Sequence, residues 1–280
     1  MSTESTPWVV KVGGDELRPG PALGQFALWA ARTMRRGQPL VVVHGGGDEV
    51  TQRAESLGLP TDRREGQRVT TGPMLEVVVE VLAGRVNVRL VNALSGAGVP
   101  SVGLTGVSAG LLAVIPDGHP PGSLGWVGRP TGARVRLLRK LLDEGVVPVI
   151  APLGSDGNGG VFNVNADWAA SAIAAALAAP LWMLTDVAAV RGANGRPIGR
   201  LTPPEAGRLR SSGVATDGMI PKLDAALSAL RGGAPFAWIG DLAGLPVDDS
   251  SPVRGTTIAA PGRPETTPVP FLPSDGKRGR

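Results

Sequence analysis

Lys11 lies inside an apolar stretch, Trp8-Val-Val-Lys-Val12, directly before Gly13-Gly14. A lysine there is costly unless an anion partners it or its ammonium reaches solvent at a strand end. A second apolar stretch, Leu40-Val-Val-Val-His44, runs into Gly45-Gly-Gly47. Glycines at such points let the backbone approach a ligand and aim N–H groups at it, or simply form tight turns. Arg68 lies near the end of a charged segment, Pro60 to Thr70, and an arginine can grip a carboxylate in a two-pronged pair. Asn163, Asn165 and Asp167 sit where a Gly-rich loop, Gly154 to Gly160, gives way to an alanine-rich helix. Free backbone N–H groups gather at a helix start and suit anions. Taken alone, the simpler reading is that Asn165 caps the helix and Asp167 complements its dipole. Lys222 falls near another helix start, where acidic residues are the usual choice. Asp186 ends the apolar run that follows Pro180. Two lysines, glycine N–H donors and an aspartate form a plausible phosphoryl-transfer site. Its work is positioning and charge stabilisation. His44 reads as a packed strand-end residue, since an already ionised acceptor needs no base.

Other chemistries fit poorly. No Gly-Lys-Ser/Thr and no G-x-G-x-x-G follows a predicted strand, so neither a P-loop nor a dinucleotide Rossmann site is supported. The absence of cysteine removes disulfides, thiolate metal sites and a cysteine nucleophile, and two histidines are too few for a His-based metal site. No protein metal ligands are assigned. A formal charge of +4 is too small to argue for nucleic-acid binding. The uncharged run from Trp168 to Leu184 is broken by Pro180 and reads as a buried helix followed by a buried strand, not a membrane span. The first residues lack the charged-then-apolar pattern of a secretory signal, and a cytoplasmic protein is expected.

The elements that must position these residues are strands and helices in alternation. Strands are expected at Trp8–Val12, Leu40–His44, Ser101–Leu104, Val146–Ile150, Leu181–Leu184, Phe236–Ile239 and Thr257–Ala259. Small strands are expected at Leu111–Ile115 and Gly125–Gly128. Helices are expected at Pro21–Arg36, Asp48–Leu57, Met74–Leu94, Ala133–Glu144, Pro203–Arg210 and Met219–Arg231, besides the alanine-rich one. Pro60 to Thr70 reads as a hairpin or flap, and Val187 to Arg200 as a hairpin around Asn194-Gly195. Repeated strand–glycine–helix units predict an α/β protein with a parallel sheet covered by helices. Ligands of such sheets bind beyond the carboxyl ends of the strands, where Lys11, both glycine clusters and Asp186 fall. A lobe boundary is expected near Ala179-Pro180, within a continuous sheet. This gives lobes 1–179 and 180–260, with residues 261–280 as a Pro-rich, disordered tail.

Lys11-Val-Gly-Gly14, His44-Gly-Gly-Gly47, Arg68-Val-Thr70, Asn163-Val-Asn-Ala-Asp167, Thr185-Asp-Val187 and Thr216-Asp-Gly-Met-Ile-Pro-Lys222 occur in this order. As an ordered set they resemble the acetylglutamate kinases of the amino acid kinase superfamily, over about Trp8 to Ala260. The resemblance implies an open three-layer α/β/α sandwich with a mainly parallel central sheet. It implies transfer of the ATP γ-phosphoryl group to the side-chain carboxylate of N-acetyl-L-glutamate, a step of arginine synthesis, with Mg²⁺ carried on the ATP phosphates. By resemblance, Lys11 and Lys222 stabilise the transferring group and Asp167 organises both lysines. Gly14, Gly46 and Gly47 supply backbone donors. Arg68 and Asn163 hold the acetylated amino acid. Asp186, Val187, Arg191, Val214 and Thr216 line the nucleotide site. The N-terminal lobe would bind the amino acid and dimerise, with the Met74–Leu94 helix as the surface of a homodimer. The C-terminal lobe would bind ATP. The rival within the superfamily is the lysine-pathway kinase acting on carrier-protein-linked aminoadipate. Its members tend to read Gly-Gly-Ser and Asn-Val-Asp-Gly-Asp, where this chain has Gly45-Gly-Gly47 and Asn163-Val-Asn-Ala-Asp167.

Overall fold

The structure is a computed structural model and describes residues 5–13, 17–64, 66–118, 120, 122–213, 215, 218–246 and 254–261. In chain order it runs β1 Trp8–Val12, α1 Pro21–Arg35, β2 Leu40–His44, α2 Gly47–Ser56, β3 Arg63–Arg64, β4 Gln67–Arg68 and α3 Gly72–Val79. A π-helical segment, Glu80–Val86, joins α3 to α4, Asn87–Gly96. Then come β5 Ser101–Thr105, β6 Leu112–Pro116, β7 Gly128–Ala133, α5 Arg136–Asp143, β8 Val147–Ala151, β9 Leu153–Ser155, β10 Val161–Asn163 and α6 Ala166–Leu177. The remainder is β11 Leu181–Leu184, β12 Arg200–Leu201, α7 Pro203–Ser211, α8 Ile220–Arg231, β13 Ala237–Gly240 and β14 Thr256–Ile258.

Eight strands form the central sheet in the order β12-β14-β13-β11-β1-β2-β8-β5. From β13 through β5 every neighbouring pair is parallel, and β14 alone runs against β13. Strands β2, β8 and β11 are wholly buried, and β1 is buried from Val9 on, as parallel strands covered on both faces must be. One face carries a core that includes Val10, Val42, Phe26, Leu90 and Leu94. The other carries Val9, Val41, Ala170, Ile173, Leu223 and Ala226. Alternation along β1 therefore decides where Lys11 goes: it shares the face of Val9, towards α6. The chain leaves β1 for β2 on one side and later places β11 on the other, so the order reverses at β1. Sheets of this kind bind ligands at that crevice. The three-layer α/β/α architecture is as expected.

Several local expectations need correction. The Met74–Leu94 helix is interrupted by the π-helical segment, a wide turn that apolar periodicity cannot distinguish from α-helix. The Gly125–Gly128 strand is displaced to Gly128–Ala133, so α5 begins at Arg136 instead of Ala133. Gly132 and Pro130 argue against a strand locally, but β7 is an edge strand, where Pro is tolerated, and pairing with β6 decides. The Gly-rich loop is the turn of a hairpin between β9 and β10, inside a second sheet of order β10-β9-β6-β7. Val187 to Arg200 does turn back at Asn194-Gly195, with an antiparallel bridge from Arg191 to Pro197 and bonds from Gly192 N to Arg196 O and from Ile198 N to Val190 O, both 2.9 Å, while β12 pairs with β14. Among the described residues no helix is long and apolar enough to cross a membrane. The expected tail lies outside the described residues from 262 onward.

Candidate active site

Helices α6 and α8 lie side by side with their N-termini together. Asp167 meets Lys222 at the first turns, Ser171 Oγ donates to the Ala225 carbonyl at 2.8 Å, and a side chain at Gly232 would strike Ala175. Alanine and glycine at this seam permit the close approach, which is a packing reason for the alanine-rich sequence. Asn165 caps α6, its Oδ1 accepting from the Asp167 N–H at 2.8 Å. The cap fixes the first turn and presents the Asp167 carboxylate to both lysines: Lys11 Nζ lies 3.1 Å from Oδ1, and Lys222 Nζ 3.2 Å from Oδ2. Asp167 is only 4% exposed. Burial by itself would raise its carboxyl pKa, but the two ammonium groups and their hydrogen bonds outweigh it and hold the carboxyl below its usual range. The trio is thus one buried anion between two cations, leaving a net positive charge beside the helix starts.

A cleft of about 240 Å³ opens beyond the carboxyl ends of β1, β2 and β8. Lys11, Gly46, Gly47, Arg68, Asn163 and Asp167 all line it. Gly46 has φ 140°, and a side chain there would press on Leu82 and Val86 of the π-helical segment. Glycine is required twice over, for the left-handed backbone and for the contact. Gly47 starts α2, so its N–H is one of the unpaired donors of a helix N-terminus. Arg68 is 7% exposed; one terminal nitrogen donates to Gly47 O at 2.9 Å and to Thr51 Oγ1 at 2.6 Å. Its other terminal nitrogen, Nη1, is buried without a hydrogen-bond partner. A buried guanidinium with an unused donor calls for an acceptor, and Arg68 lines the cleft. Burial lowers its pKa, and Arg63 nearby lowers it further.

His44 is a structural residue, as the sequence suggested. It is fully buried, with Nδ1 2.8 Å from Gly45 O and Nε2 3.1 Å from Asn87 Nδ2. The carbonyl can only accept and the amide nitrogen can only donate, so the neutral ring carries its proton on Nδ1. Burial pushes its pKa down to about 4.

The amino acid kinase family profile matches residues 6–241 of this chain. The chain belongs to the amino acid kinase family. It is 45% identical to an acetylglutamate kinase of Geobacillus kaustophilus over 236 residues, covering 82% of this chain and 88% of that one. It is 47% identical to an acetylglutamate kinase of Rubrobacter xylanophilus over 228 residues, covering 81% and 86%. Among solved structures, smu.665 from Streptococcus mutans UA159 is similar with a TM-score of 0.79 at 30% identity, covering 91% of this chain and 99% of that one.

For this amino acid kinase, the cleft gathers Lys11, Gly46, Gly47, Arg68, Asn163 and Asp167 of the residues singled out in the sequence. Lys222 joins through Asp167 and is not itself part of the cleft wall. Asn163 is the last residue of β10, not part of the helix start. Asp186, Val187 and Arg191 stand apart from this cleft, beyond the carboxyl end of β11. Asp186 is exposed and accepts from Thr185 Oγ1 at 2.9 Å, and Arg191 donates to Gly195 O at 3.1 Å. Gly14, Val214 and Thr216 lie outside the described residues. The sequence reading missed Arg63, Gly66 and Gln67, which line the cleft from the β3–β4 hairpin. Their signal was present in the charged flap, but nothing local says which of its side chains turn inward.

Proposed function

We propose that this enzyme transfers the γ-phosphoryl group of ATP to the side-chain carboxylate of N-acetyl-L-glutamate, giving N-acetyl-L-glutamyl 5-phosphate and ADP, in arginine synthesis. The observation that carries the proposal is the buried Lys11–Asp167–Lys222 trio beside a cleft with an unpartnered Arg68 nitrogen. Acetylglutamate kinase as the name of relatives above 40% identity supports the choice of substrate.

The acceptor carboxylate is ionised at neutral pH, so one of its oxygens attacks the γ-phosphorus without a general base. The new O–P bond forms as the bond from phosphorus to the β,γ-bridging oxygen breaks, and ADP leaves with the electron pair. Lys11 and Lys222 offset the charge spread over the transferring oxygens. Asp167 keeps the two ammonium groups in place without neutralising both. Backbone N–H groups of Gly46 and Gly47 add donors at the positive start of α2, and by resemblance Gly14 supplies another. Arg68 holds the substrate's other carboxylate, and Asn163 its acetamido group. Asp186, Val187, Arg191, Val214 and Thr216 form the nucleotide side, so lobe 1–179 serves the amino acid and lobe 180–260 serves ATP. Mg²⁺ carried on the ATP phosphates would neutralise part of their charge. The β3–β4 flap covers the acceptor, which matters because an acyl phosphate hydrolyses in water. The enzyme acts in the cytoplasm as a homodimer; Val79 and Val88, exposed at 37% and 63% on the long interrupted helix, support that surface.

A coupled ADP-release assay with N-acetylglutamate, glutamate and aminoadipate tests the assignment. Turnover should depend on N-acetylglutamate. Equal rates with unacetylated glutamate would overturn the choice of substrate.

A further inference from the structure

Thr70 is buried completely and is not itself part of the cleft wall, yet it touches two residues that are. Its main chain is already paired: the N–H donates to Leu124 O at 2.9 Å, and its carbonyl accepts from Trp126 N at 2.7 Å. Its hydroxyl is therefore not needed to hold the strand. That hydroxyl lies 3.0 Å from the Arg68 carbonyl and 3.1 Å from Asn163 Nδ2.

A hydroxyl has one proton and can also accept. The Arg68 carbonyl can only accept, so the Thr70 proton is committed to it. The oxygen must then accept from Asn163, whose NH₂ is forced to face Thr70. A flipped amide would set its Oδ1 against the Thr70 oxygen, two acceptors with the hydroxyl proton already given to the Arg68 carbonyl. Among the described residues Asn163 Oδ1 has no hydrogen-bond partner, and Asn163 lines the cleft, so this oxygen is kept as an acceptor. The backbone of Asn163 is held separately, its N–H donating to Trp126 O at 2.8 Å. The hydroxyl thus governs the side-chain amide and the flap carbonyl, not the course of β10.

We infer that Thr70 is a positioning residue for acceptor binding: its hydroxyl fixes Asn163 with the carbonyl oxygen towards the cleft, ready to accept the acetamido N–H, and ties that choice to the flap segment bearing Arg68. The inference rests on the proposed assignment of N-acetylglutamate to this cleft. A flipped Asn163 would present NH₂ to a substrate N–H, two donors face to face, which costs affinity.

Steady-state kinetics of the full chain test this with Thr70→Val, Thr70→Ala and Thr70→Ser. Valine keeps the shape and loses the hydroxyl; serine keeps the hydroxyl. Thr70→Val should raise KM for N-acetylglutamate about tenfold and leave KM for ATP within about twofold. Thr70→Ser should restore wild-type behaviour within about threefold. An unchanged KM in Thr70→Val overturns the inference, as does a parallel rise in both KM values. If valine and alanine variants both fail to fold while serine folds, the hydroxyl is a stability element and the positioning role is overturned. A wild-type enzyme with no N-acetylglutamate-dependent turnover overturns the functional assignment and this inference together. An active wild type with an indifferent Thr70→Val overturns the inference alone.

Discussion

Asp167 sits between two ammonium groups, and the two lysines are not equivalent to its loss. Lys222→Met leaves Asp167 paired with Lys11, so folding should suffer little while kcat falls by roughly 10²- to 10³-fold, the effect of removing one transition-state charge partner. Asp167→Ala instead leaves two buried ammonium groups facing each other. It should cost about 3–5 kcal/mol in urea denaturation as well as activity. Comparing denaturation midpoints and kcat for the two variants separates the roles; equal stability losses would refute this division. His44 gives a pH signature. Its folded pKa, about 4, lies below its ordinary value of 6.5, so between these values the unfolded chain binds more protons. Stability should therefore be full above pH 6.5 and fall as the pH drops to 4, by up to about 3 kcal/mol. Below that window the depressed Asp167 carboxyl continues the loss as it protonates. Denaturation of wild type and His44→Gln at pH 7 and pH 5 measures this; the variant should lack the slope.

At the scale of elements, α6 does two jobs. Its N-terminus carries the site, and its C-cap, Ala178, is held at φ 50°, a left-handed conformation that glycine takes without strain. Ala178→Gly should stabilise the protein by about 0.5–1 kcal/mol with unchanged kcat, read as a higher thermal midpoint. The offset is the greater freedom of glycine in the unfolded chain. The second element is the π-helical segment. Its Leu82 and Val86 pack against Gly46, so the wide turn and the glycine loop are fitted to each other. Gly46→Ala combines an unfavourable φ with a contact at 2.8 Å from the Leu82 side chain. It should lower kcat/KM by tenfold or more, about 1.4 kcal/mol or greater, in the coupled assay. The sequence announced the glycines, but the reason for Gly46 in particular lies in a helix more than thirty residues on, which no local pattern connects to it.

For the whole molecule, the eight-stranded sheet carries two cores, and the cleft lies where strand order reverses at β1. Residues far apart in the chain close the site, so its ligands should stabilise the fold as a unit. Saturation with N-acetylglutamate at about 100 times its dissociation constant should add about 2.7 kcal/mol, roughly a 5–10 °C rise in thermal midpoint. A scan with and without the ligand checks this. The sequence by itself determined the alternation of buried strands and helices, because apolar runs ending in glycine admit few other arrangements. It also determined the chemical inventory: a lysine within a strand, an arginine near the end of a charged flap, and two asparagines and an aspartate at a helix start. The β3–β4 flap was legible too, since its charges cannot enter a core. The tertiary structure alone decided which of these meet. Lys222 reaches Asp167 because α6 and α8 pack with their N-termini together, and that packing depends on small side chains facing each other across the seam. The second sheet, the π-helical turn and the placement of β7 were hidden because strand pairing and helix–loop contact outweigh local propensity there. Asn165 stayed a helix cap, as its sequence position says. Asp167 became the anion between two lysines only when the fold brought two distant segments, β1 with Lys11 and the start of α8 with Lys222, within about 3 Å of its carboxylate.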